Sequence, residues 1–266
     1  MLEDCGVEKS HIDQAISLML DKENKYGGVV GTDNLFFNTN KANIGIENFF
    51  TYMAELSSRY NNAEFKKFLE EIILSVDKNF CDLKTKSKGI NTSYFYLLMR
   101  ELYLRNPQDA SIRCRMNEGT WYAGRLDYLL GGISLAQLQF AEEKSNIPTI
   151  VFDDFRTLPG LERLGIGSQM FVALSKKIVE EKPSYSIMAC GVLKGKDGEM
   201  AYRSWGAYPI YPKSKDRCWE IVERPLTEQE YLKAPNFINF YFTKDVVKRN
   251  ASFLSKTTKG NYIKEQ

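Results

Sequence analysis

The chain has 266 residues, of which 43% are hydrophobic and 26% are charged, so it exceeds a typical single domain and can build one large or two smaller cores. Its formal net charge of +2 argues against strong non-specific binding to nucleic acid. No stretch reaches the roughly 18 apolar residues of a membrane span, and the N-terminus has no apolar run of signal-peptide length. We therefore expect no membrane association and a cytoplasmic location.

The cysteines are odd in number, widely separated and without a Cys-x-x-Cys pair. They are Cys5, Cys81, Cys114, Cys190 and Cys218. This pattern is typical of reduced thiols and differs from a disulfide framework or a zinc site. The single histidine, His11, falls in a predicted helix, where we expect a structural role. The sequence therefore predicts no metal site and no catalytic triad built on histidine.

Helical periodicity dominates the first part of the chain, where charged and apolar faces alternate. It predicts helices over residues 8–22, 46–56, 65–74 and 94–104. Between the first two helices, residues 29–44 contain Asn-rich turns around Asn34 and Asn38-Thr-Asn40, which indicate loops and one short strand. Asn106-Pro107 stops the helical run. We predict a mainly helical N-terminal domain over residues 1–106.

After Pro107 the period becomes strand-like. It predicts strands over residues 111–116, 120–130, 133–141, 150–155 and 185–193. The third of these strands also fits a helix, because Leu135, Ala136 and Leu138 suit that period. Strands, a loop, a helix and further strands favour a mixed α/β sheet over residues 107–226.

A glycine pair follows the fourth strand. Pro159-Gly160 ends the strand, and Gly165 and Gly167 directly precede an apolar helix face made by Met170, Phe171, Leu174 and Ile178. Glycines at a helix start let a ligand approach the backbone, and the first N–H groups there carry the positive end of the helix dipole. The sequence therefore predicts an anion site, most simply for phosphate.

Spacing separates the phosphate-binding folds that use such a turn. A dinucleotide fold needs a small residue three positions after the second glycine, where this chain has Met170, and no Gly-Lys-Ser/Thr string exists for a nucleoside-triphosphate loop. The segment resembles the acyl-CoA-binding motif of the GCN5-related N-acetyltransferase (GNAT) superfamily, in which Gln/Arg-x-x-Gly-x-Gly/Ala precedes a helix. Gly165-Ile-Gly-Ser168 matches the motif core, whereas Glu162 replaces the Gln or Arg.

A second segment supports this resemblance. Glu199-Met-Ala-Tyr-Arg-Ser-Trp-Gly-Ala-Tyr208 is similar to the Ala-x-x-Phe-Tyr-x-x-x-Gly-Phe segment of the superfamily, with Tyr202 on its tyrosine and Gly206 on its glycine. The resemblance covers about residues 110–225. It implies a mixed, mostly antiparallel GNAT-like α/β sheet flanked by helices.

A C-terminal extension follows over residues 227–266. It begins with a predicted helix at 227–233, which Thr227 can cap. The aromatic run 237–242 in this extension is expected to pack on the core or on another subunit, which would make a homodimer.

The resemblance also implies a chemistry. An acyl group would pass directly from acetyl-CoA to an amine-bearing acceptor, either a small molecule or a protein. The backbone of a loop and helix start would hold the pyrophosphate, and Tyr202 would donate a proton to the departing thiolate. The predicted cofactor-binding residues are Arg163, Leu164, Gly165, Ile166, Gly167 and Ser168.

The sequence leaves the identity of the general base open. Asp153 and Asp154 interrupt an apolar strand and are candidates, Glu142 and Glu143 are equal rivals, and the amine could also arrive neutral. Two other functions stay open as well. The fold could be a catalytically inactive acyl-CoA-binding or protein-interaction module, with residues 1–106 carrying the function, or the glycine turn could bind another phosphorylated ligand.

Overall fold

The computed structural model describes residues 39–86, 94–119, 121–158, 160–211, 213–215, 218–253 and 262–264. The helix predicted over residues 8–22, with His11, and the turn around Asn34 lie outside these ranges. Within them, the chain divides into two compact units. The first takes the described residues up to Ser111, together with Leu129–Leu135 and Leu158–Glu162. The second takes Ile112–Tyr128, Ala136–Thr157 and the described residues from Arg163 onwards.

Three helices and one short turn form most of the first unit. They are α1 at Thr39–Ser58, α2 at Asn62–Lys86, α3 at Tyr94–Arg105 and a 3-10 turn at Pro107–Asp109. The helices predicted over 46–56, 65–74 and 94–104 are confirmed, and α3 ends where Pro107 was predicted to stop it. Their apolar faces are buried, with Leu56, Ile72 and Leu102 fully enclosed.

One prediction for this unit is wrong. Residues 39–44 were expected in loops, but they form the first turns of α1. Asn and Thr favour turns and are equally favoured at helix starts, so an Asn-rich segment does not separate the two structures.

Most strand residues and the four remaining helices of the described chain belong to the second unit. The strands are β1 Ala110–Met116, β2 Ala123–Leu130, β3 Ile133–Glu143, β4 Thr149–Thr157, β5 Ser186–Leu193, β6 Tyr208–Ile210, β7 Lys213–Lys215, β8 Cys218–Glu220, β9 Phe237–Phe242 and β10 Tyr262–Lys264. The helices are α4 Ile166–Glu181, α5 Asp197–Ser204, α6 Glu228–Lys233 and α7 Lys244–Ser252. Residues 133–141, for which a helix was an alternative, are a strand.

Eight strands form one sheet in the order β10-β1-β2-β3-β4-β5-β9-β6, and β7 and β8 form a separate hairpin. β4 and β5 run parallel, whereas β3–β4, β5–β9 and β6–β9 are antiparallel. The predicted fold class, a mixed and mostly antiparallel sheet flanked by helices, is confirmed. The order strand, glycine turn, helix, strand, helix, strand that the resemblance predicts is present along residues 149–210.

β9 lies inside the sheet, between β5 and β6. Its residues Phe240, Tyr241 and Phe242 are fully buried, so this end of the aromatic run packs in the core of its own chain, whereas Phe237 at the other end is 61% exposed. The division predicted at residue 227 therefore falls between two paired strands, and the segment that links β6 to β9, called the insertion below, contains β7, β8 and α6. The homodimer stays a prediction.

Helix α4 packs on the sheet through the face that its sequence predicted. Met170, Phe171, Leu174 and Ile178 are all fully buried. Removing each of these side chains from water contributes about 2 kcal/mol to the stability of the fold. This packing fixes where the helix begins, which is where the candidate site lies.

No helix within the described ranges has both the length and the apolar character needed to cross a membrane. The cytoplasmic location stays a prediction.

Candidate functional site

The glycine turn opens α4 as predicted. Gly165 precedes the first helical residue with φ 81° and ψ 0°, a left-handed conformation that glycine adopts without a steric cost. No side chain among the described residues caps this helix start. The first backbone hydrogen bond of the helix runs from Gln169 N–H to the Gly165 carbonyl at 3.1 Å. The N–H groups of Ile166, Gly167 and Ser168 therefore precede the hydrogen-bonded ladder and point toward the turn, where an anion can bind them.

The two glycines have different tasks. A Cβ atom on Gly165 would meet nothing within 4 Å, so the space in front of this residue is open. A Cβ atom on Gly167 would lie 3.0 Å from Cζ of Phe155 and 3.6 Å from the ring of Trp205. Gly165 thus leaves room for a ligand, whereas Gly167 lets the helix start pack on β4. The sequence had predicted that both glycines serve the approach of a ligand.

The charged residues before the turn are already engaged with neighbours. Glu162, which departs from the motif, accepts a hydrogen bond from the Gly160 N–H at 2.7 Å. Arg163 donates to both carboxylate oxygens of Asp197, at 3.0 and 3.2 Å. Because the Arg163 and Asp197 side chains are 77% and 64% exposed, this ion pair is weak, and Arg163 can turn to another anion at little cost.

β4 contains a bulge close to the turn. Gln139 of β3 pairs with Asp154, but the next residue, Phe140, pairs with Phe152, so Asp153 is an extra residue in β4. A bulge re-aims the residues around it and interrupts the ladder of hydrogen bonds. The two aspartates predicted as base candidates therefore lie at an irregular position of the strand.

A gap opens between β4 and β5 at this bulge, immediately after Phe152. The two parallel strands pair from Thr149 to Phe152 and from Ser186 to Ala189, although β4 continues to Thr157 and β5 to Leu193. Strand edges that are not paired present N–H and C=O groups to an extended ligand with amide groups. The gap therefore offers a binding position next to the helix start.

Tyr202 lies in an aromatic cluster beside this gap. Its ring contacts Phe152 edge-on with centroids 5.6 Å apart, and it also contacts Trp205 and Phe242. Tyr202 is buried, and this burial raises the pKa of its hydroxyl to about 12. The phenol is therefore protonated at neutral pH and can act as a proton donor but not as a base.

Trp205 connects this cluster to the helix start. Its ring stacks on Phe171 at 4.9 Å, and its Nε1 donates to the Ser168 Oγ at 3.0 Å. Nothing in the sequence motif pointed to this role. The tryptophan lies three residues after Tyr202, so the end of α5 holds both the proton-donor candidate and the anchor of the α4 start.

The rival base Glu142 lies at the opposite end of α4. It bonds with Lys182, which follows the helix, and with the hydroxyl of Tyr185. The hydrogen bond from Tyr185 lowers the pKa of Glu142, and Lys182 adds to this effect. Since α4 has 16 residues, its two ends are about 24 Å apart. Glu143, the next residue of β3, pairs with Thr149 at the beginning of β4, also before the bulge.

The insertion between β6 and β9 forms a cavity of about 600 Å³ that the sequence did not predict. Ile210, Val222 and Leu226 contribute apolar walls, and the ion pair of Arg224 with Glu230 lies at its lining with an N–O distance of 2.6 Å. Hydrogen bonds from Arg224 and Thr227 lower the pKa of Glu230 to about 2. β5 and β6 are both antiparallel to β9, which lies between them, so they run in the same direction. Ile210, the last residue of β6, therefore lies toward the sheet edge at which β5 ends.

Several solved acetyltransferase structures are similar to the described chain. An acetyltransferase from Bacillus subtilis in complex with CoA has 12% identity, covers 50% of this chain and 99% of its own, and gives a TM-score of 0.34. Arabidopsis thaliana Naa50 in complex with the bisubstrate analogue CoA-Ac-MVNAL has 12% identity, with 44% and 72% coverage and a TM-score of 0.32.

A chimera of the spermidine N-acetyltransferase SpeG from Vibrio cholerae and hSSAT also has 12% identity, with 56% and 78% coverage and a TM-score of 0.34. No protein-family profile and no curated protein matches the sequence. TM-scores in this range are too low to assign a function. The turn, the bulge and the gap are therefore the features from which a function is inferred.

Proposed function

We propose that this protein is an acyltransferase that moves an acyl group, most simply acetyl, from acyl-CoA directly to an amine. The observation that carries the proposal is the helix start at Gly165, without a side-chain cap among the described residues, next to the gap between β4 and β5. A helix start of this kind binds phosphate, and the gap suits an extended arm with amide groups. CoA combines both features, since its pyrophosphate adjoins the pantetheine arm.

The backbone N–H groups of Arg163, Leu164 and residues 165–168 would hold the pyrophosphate. A nucleoside triphosphate suits this site less well, because the described turn has no lysine in the position that reaches the terminal phosphates. Arg163 would exchange Asp197 for the ligand phosphate. The superfamily motif has a Gln or Arg at the position where this chain has Glu162, and Arg163 would take over the role of that residue.

Tyr202 is proposed as the general acid. The amine nitrogen attacks the thioester carbon, the carbon–sulfur bond breaks, and the thiolate takes the phenolic proton of Tyr202. The amine proton leaves to a base, after which solvent restores the tyrosine. The position of Tyr202 against Phe152, the last paired residue before the gap, supports this role.

Asp153 and Asp154 are the proposed base candidates. They lie at the bulge, at the point of β4 where the gap opens. Glu142 supports this choice by contrast, because it is bound to Lys182 and Tyr185 about 24 Å away along α4 and has a lowered pKa. An amine that arrives neutral would need neither aspartate.

Calorimetric titration with acetyl-CoA and with CoA tests the proposal. We expect micromolar binding to the wild-type protein and no measurable binding to Gly165→Glu, in which a carboxylate fills the open space before the helix start. Gly119→Glu is the matched control, because Gly119 also has a positive φ with nothing within 4 Å of its Cβ and lies in the β1–β2 turn. This control should bind CoA as the wild-type protein does.

An amine screen with Tyr202→Phe then separates enzyme from binding module. Release of CoA in the presence of an amine, reduced at least about tenfold by Tyr202→Phe, supports acid catalysis. Binding of CoA to a protein that releases no CoA from acetyl-CoA with any amine would identify the inactive acyl-CoA-binding module. The presence of Glu162 in place of the Gln or Arg of the motif favours this alternative. Absence of CoA binding to the folded wild-type protein would overturn the proposal.

A further inference from the structure

The cavity in the insertion has the size of a small-molecule site and lies apart from the glycine turn. Its volume of about 600 Å³ falls within the range of about 300 to 1,000 Å³ that ligand pockets have. The end of β6, the alternate residues Val222, Arg224 and Leu226, and helix α6 line it. None of the described residues in its lining belongs to β4, β5 or α4. The cavity is therefore separate from the proposed donor site.

The lining includes apolar side chains that the rest of the described chain leaves uncovered. Ile210 is buried and belongs to a core cluster with Met188 and Tyr241, so it is a fixed part of the lining. Tyr211 and Val222, in contrast, are 58% and 56% exposed. Apolar surface is costly to leave in water, and in a concave site it marks a place where the apolar body of a ligand can bind.

Two of the charged residues in the lining neutralise each other. Nη1 and Nη2 of Arg224 donate to the two carboxylate oxygens of Glu230 at 2.7 and 2.6 Å, and Nη1 also donates to the Pro225 carbonyl at 3.2 Å. The same carboxylate accepts from the Thr227 N–H at 2.8 Å. Both members of the ion pair are thus occupied, and the pair adds no net charge to the cavity.

Lys233 is the third charged residue among the described residues that line the cavity. Its side chain is exposed and forms no ion pair or hydrogen bond with another described residue. Because Arg224 and Glu230 cancel, the described lining has one net positive charge, on the ammonium of Lys233. A ligand with an apolar body and one anionic group matches this distribution, since a charged partner forms the stronger hydrogen bonds with an ammonium.

Helix α6 carries Lys233 and is fixed at both ends. The capping box that begins at Thr227 satisfies its start. At its end, Nζ of Lys194 donates to the backbone carbonyls of Tyr231 and Ala234 at 2.7 and 3.0 Å. A helix held in this way does not have to be ordered when a ligand binds, so little of the binding free energy is lost to ordering.

We propose that the cavity in the insertion binds a small amphipathic anion. Its apolar body packs against Ile210, Tyr211 and Val222, and its anionic group pairs with Lys233. This ligand is distinct from acyl-CoA, and both can bind at the same time because their sites share no described residue. The ammonium of a lysine is a point charge that does not select one anion geometry, so the recognised chemistry is a single negative charge on an apolar body.

A titration with octanoate, followed by NMR of methyl-labelled protein, tests this site. We expect a saturable shift of the Val222 methyl signals with a millimolar or lower dissociation constant, and loss of these signals in Val222→Ala identifies them. Acetate, which lacks the apolar body, should give no saturable shift over the same concentrations. Octanamide has the same body without the charge and should bind about fivefold more weakly, because it forms no charge-assisted hydrogen bond with Lys233.

Variants at Lys233 test the charge directly. Lys233→Gln should weaken octanoate binding about fivefold and leave octanamide binding unchanged, since only the charge-assisted hydrogen bond is removed. Lys233→Glu should reverse the preference, so that octylamine binds more tightly than octanoate. Lys248→Gln is the matched control, because Lys248 is an exposed lysine of α7 that does not line the cavity. Urea unfolding should show that all three variants are folded under the conditions of the titration.

The same measurements can overturn the inference. Absence of saturable binding to the wild-type protein would do so, as would equal octanoate affinity in wild-type protein and Lys233→Gln. Shifts confined to exposed apolar residues elsewhere, such as Leu74 of α2, would show adsorption rather than a site. Gly165→Glu, which blocks the proposed donor site, should bind octanoate as the wild-type protein does. A failure of the proposed acyltransferase function therefore leaves this test intact, whereas loss of octanoate binding in Gly165→Glu would contradict two separate sites.

Discussion

Two helices of the second unit begin in opposite ways. α6 begins with a complete capping box, in which the Thr227 hydroxyl accepts from the Glu230 N–H at 3.3 Å and the Glu230 carboxylate accepts from the Thr227 N–H at 2.8 Å. α4 begins after a left-handed glycine and has no side-chain cap among the described residues. The chain can therefore satisfy a helix start with its own side chains, and at α4 it does not.

The difference between the capped start of α6 and the uncapped start of α4 indicates that the two have different roles. A helix start without a cap costs stability, about 1 kcal/mol relative to one with a good cap, unless a ligand supplies the missing acceptor. At α4 the cost is offset by packing behind the turn, where Gly167 meets Phe155 and Trp205 bonds to Ser168. The backbone at the α4 start thus packs on Phe155 and Trp205 on one side, and the space beside Gly165 is open on the other. This is the arrangement that anion binding needs.

The packing behind the α4 start can be broken by a side chain on Gly167. Gly167→Val should destabilise the fold by about 2 to 3 kcal/mol, because a Cβ atom would lie 3.0 Å from the Phe155 ring. Urea unfolding measures the loss. In the double variant Gly167→Val with Phe155→Leu, part of the stability should return, since the smaller side chain gives way.

Gly165→Ala provides the contrast. It should cost about 1 to 2 kcal/mol through its left-handed backbone, with φ 81°, and Phe155→Leu should not restore this loss. If Phe155→Leu restored both variants or neither, the division of tasks between the two glycines would be wrong.

The aromatic cluster that supports the α4 start can be detected by its titration. Tyr202 has a raised pKa of about 12 in the folded protein because it is buried, against about 10 in an unfolded chain. The contribution of Tyr202 to the free energy of unfolding is therefore fully present below pH 10. It is lost as the pH rises from 10 to 12, by about 2 to 3 kcal/mol in total.

Urea unfolding of wild-type protein and Tyr202→Phe at pH 9, 10 and 11 tests this difference. The wild-type protein should lose more stability than the variant, because the other tyrosines titrate in both. Parallel pH profiles would show that Tyr202 is not desolvated in the folded state.

The glycine turn that begins α4 was predictable from the sequence, because the residues that indicate it are close together in the chain. Gly165, the preceding strand and the apolar face of α4 lie within a short segment and obey short-range rules. The task of Gly167 was not predictable, because it depends on Phe155, a residue on another element. The place of β9 inside the sheet was also missed, since strand order depends on pairing between distant segments rather than on local periodicity.

The base candidates show the same limit. Asp153, Asp154, Glu142 and Glu143 were equal in the sequence, since each interrupts or ends an apolar strand. The bulge at Asp153 and the bonds of Glu142 to Lys182 and Tyr185 separate them, and both depend on pairing across elements.

The capped start of α6 provides a matched control, in which a substitution should lower stability but leave the proposed CoA site unchanged. Thr227→Ala removes the hydroxyl that accepts from the Glu230 N–H and should cost about 1 kcal/mol of stability. Binding of CoA should not change, because this start lies in the insertion and already has its own cap. Weaker CoA binding under conditions where the variant is still fully folded would mean that the insertion takes part in the donor site.

The ion pair beside the open start should give the smallest effect. Asp197 holds Arg163 at 3.0 Å, and both side chains are largely exposed, so releasing Arg163 requires about 0.5 kcal/mol or less. Asp197→Asn should therefore tighten CoA binding about twofold, because the variant removes a carboxylate that competes with the ligand for Arg163. Arg163→Gln should weaken binding by a similar factor.

Screening by salt distinguishes this electrostatic account from a local rearrangement of the turn. Exposed charges are screened within about 3 Å at 1 M ionic strength, so the advantage of Asp197→Asn should disappear there. An advantage that persists at high salt would show that the substitution changes the shape of the loop instead. In that case the open start would owe its affinity to the backbone N–H groups after Gly165 alone, and Arg163 would have no part in it.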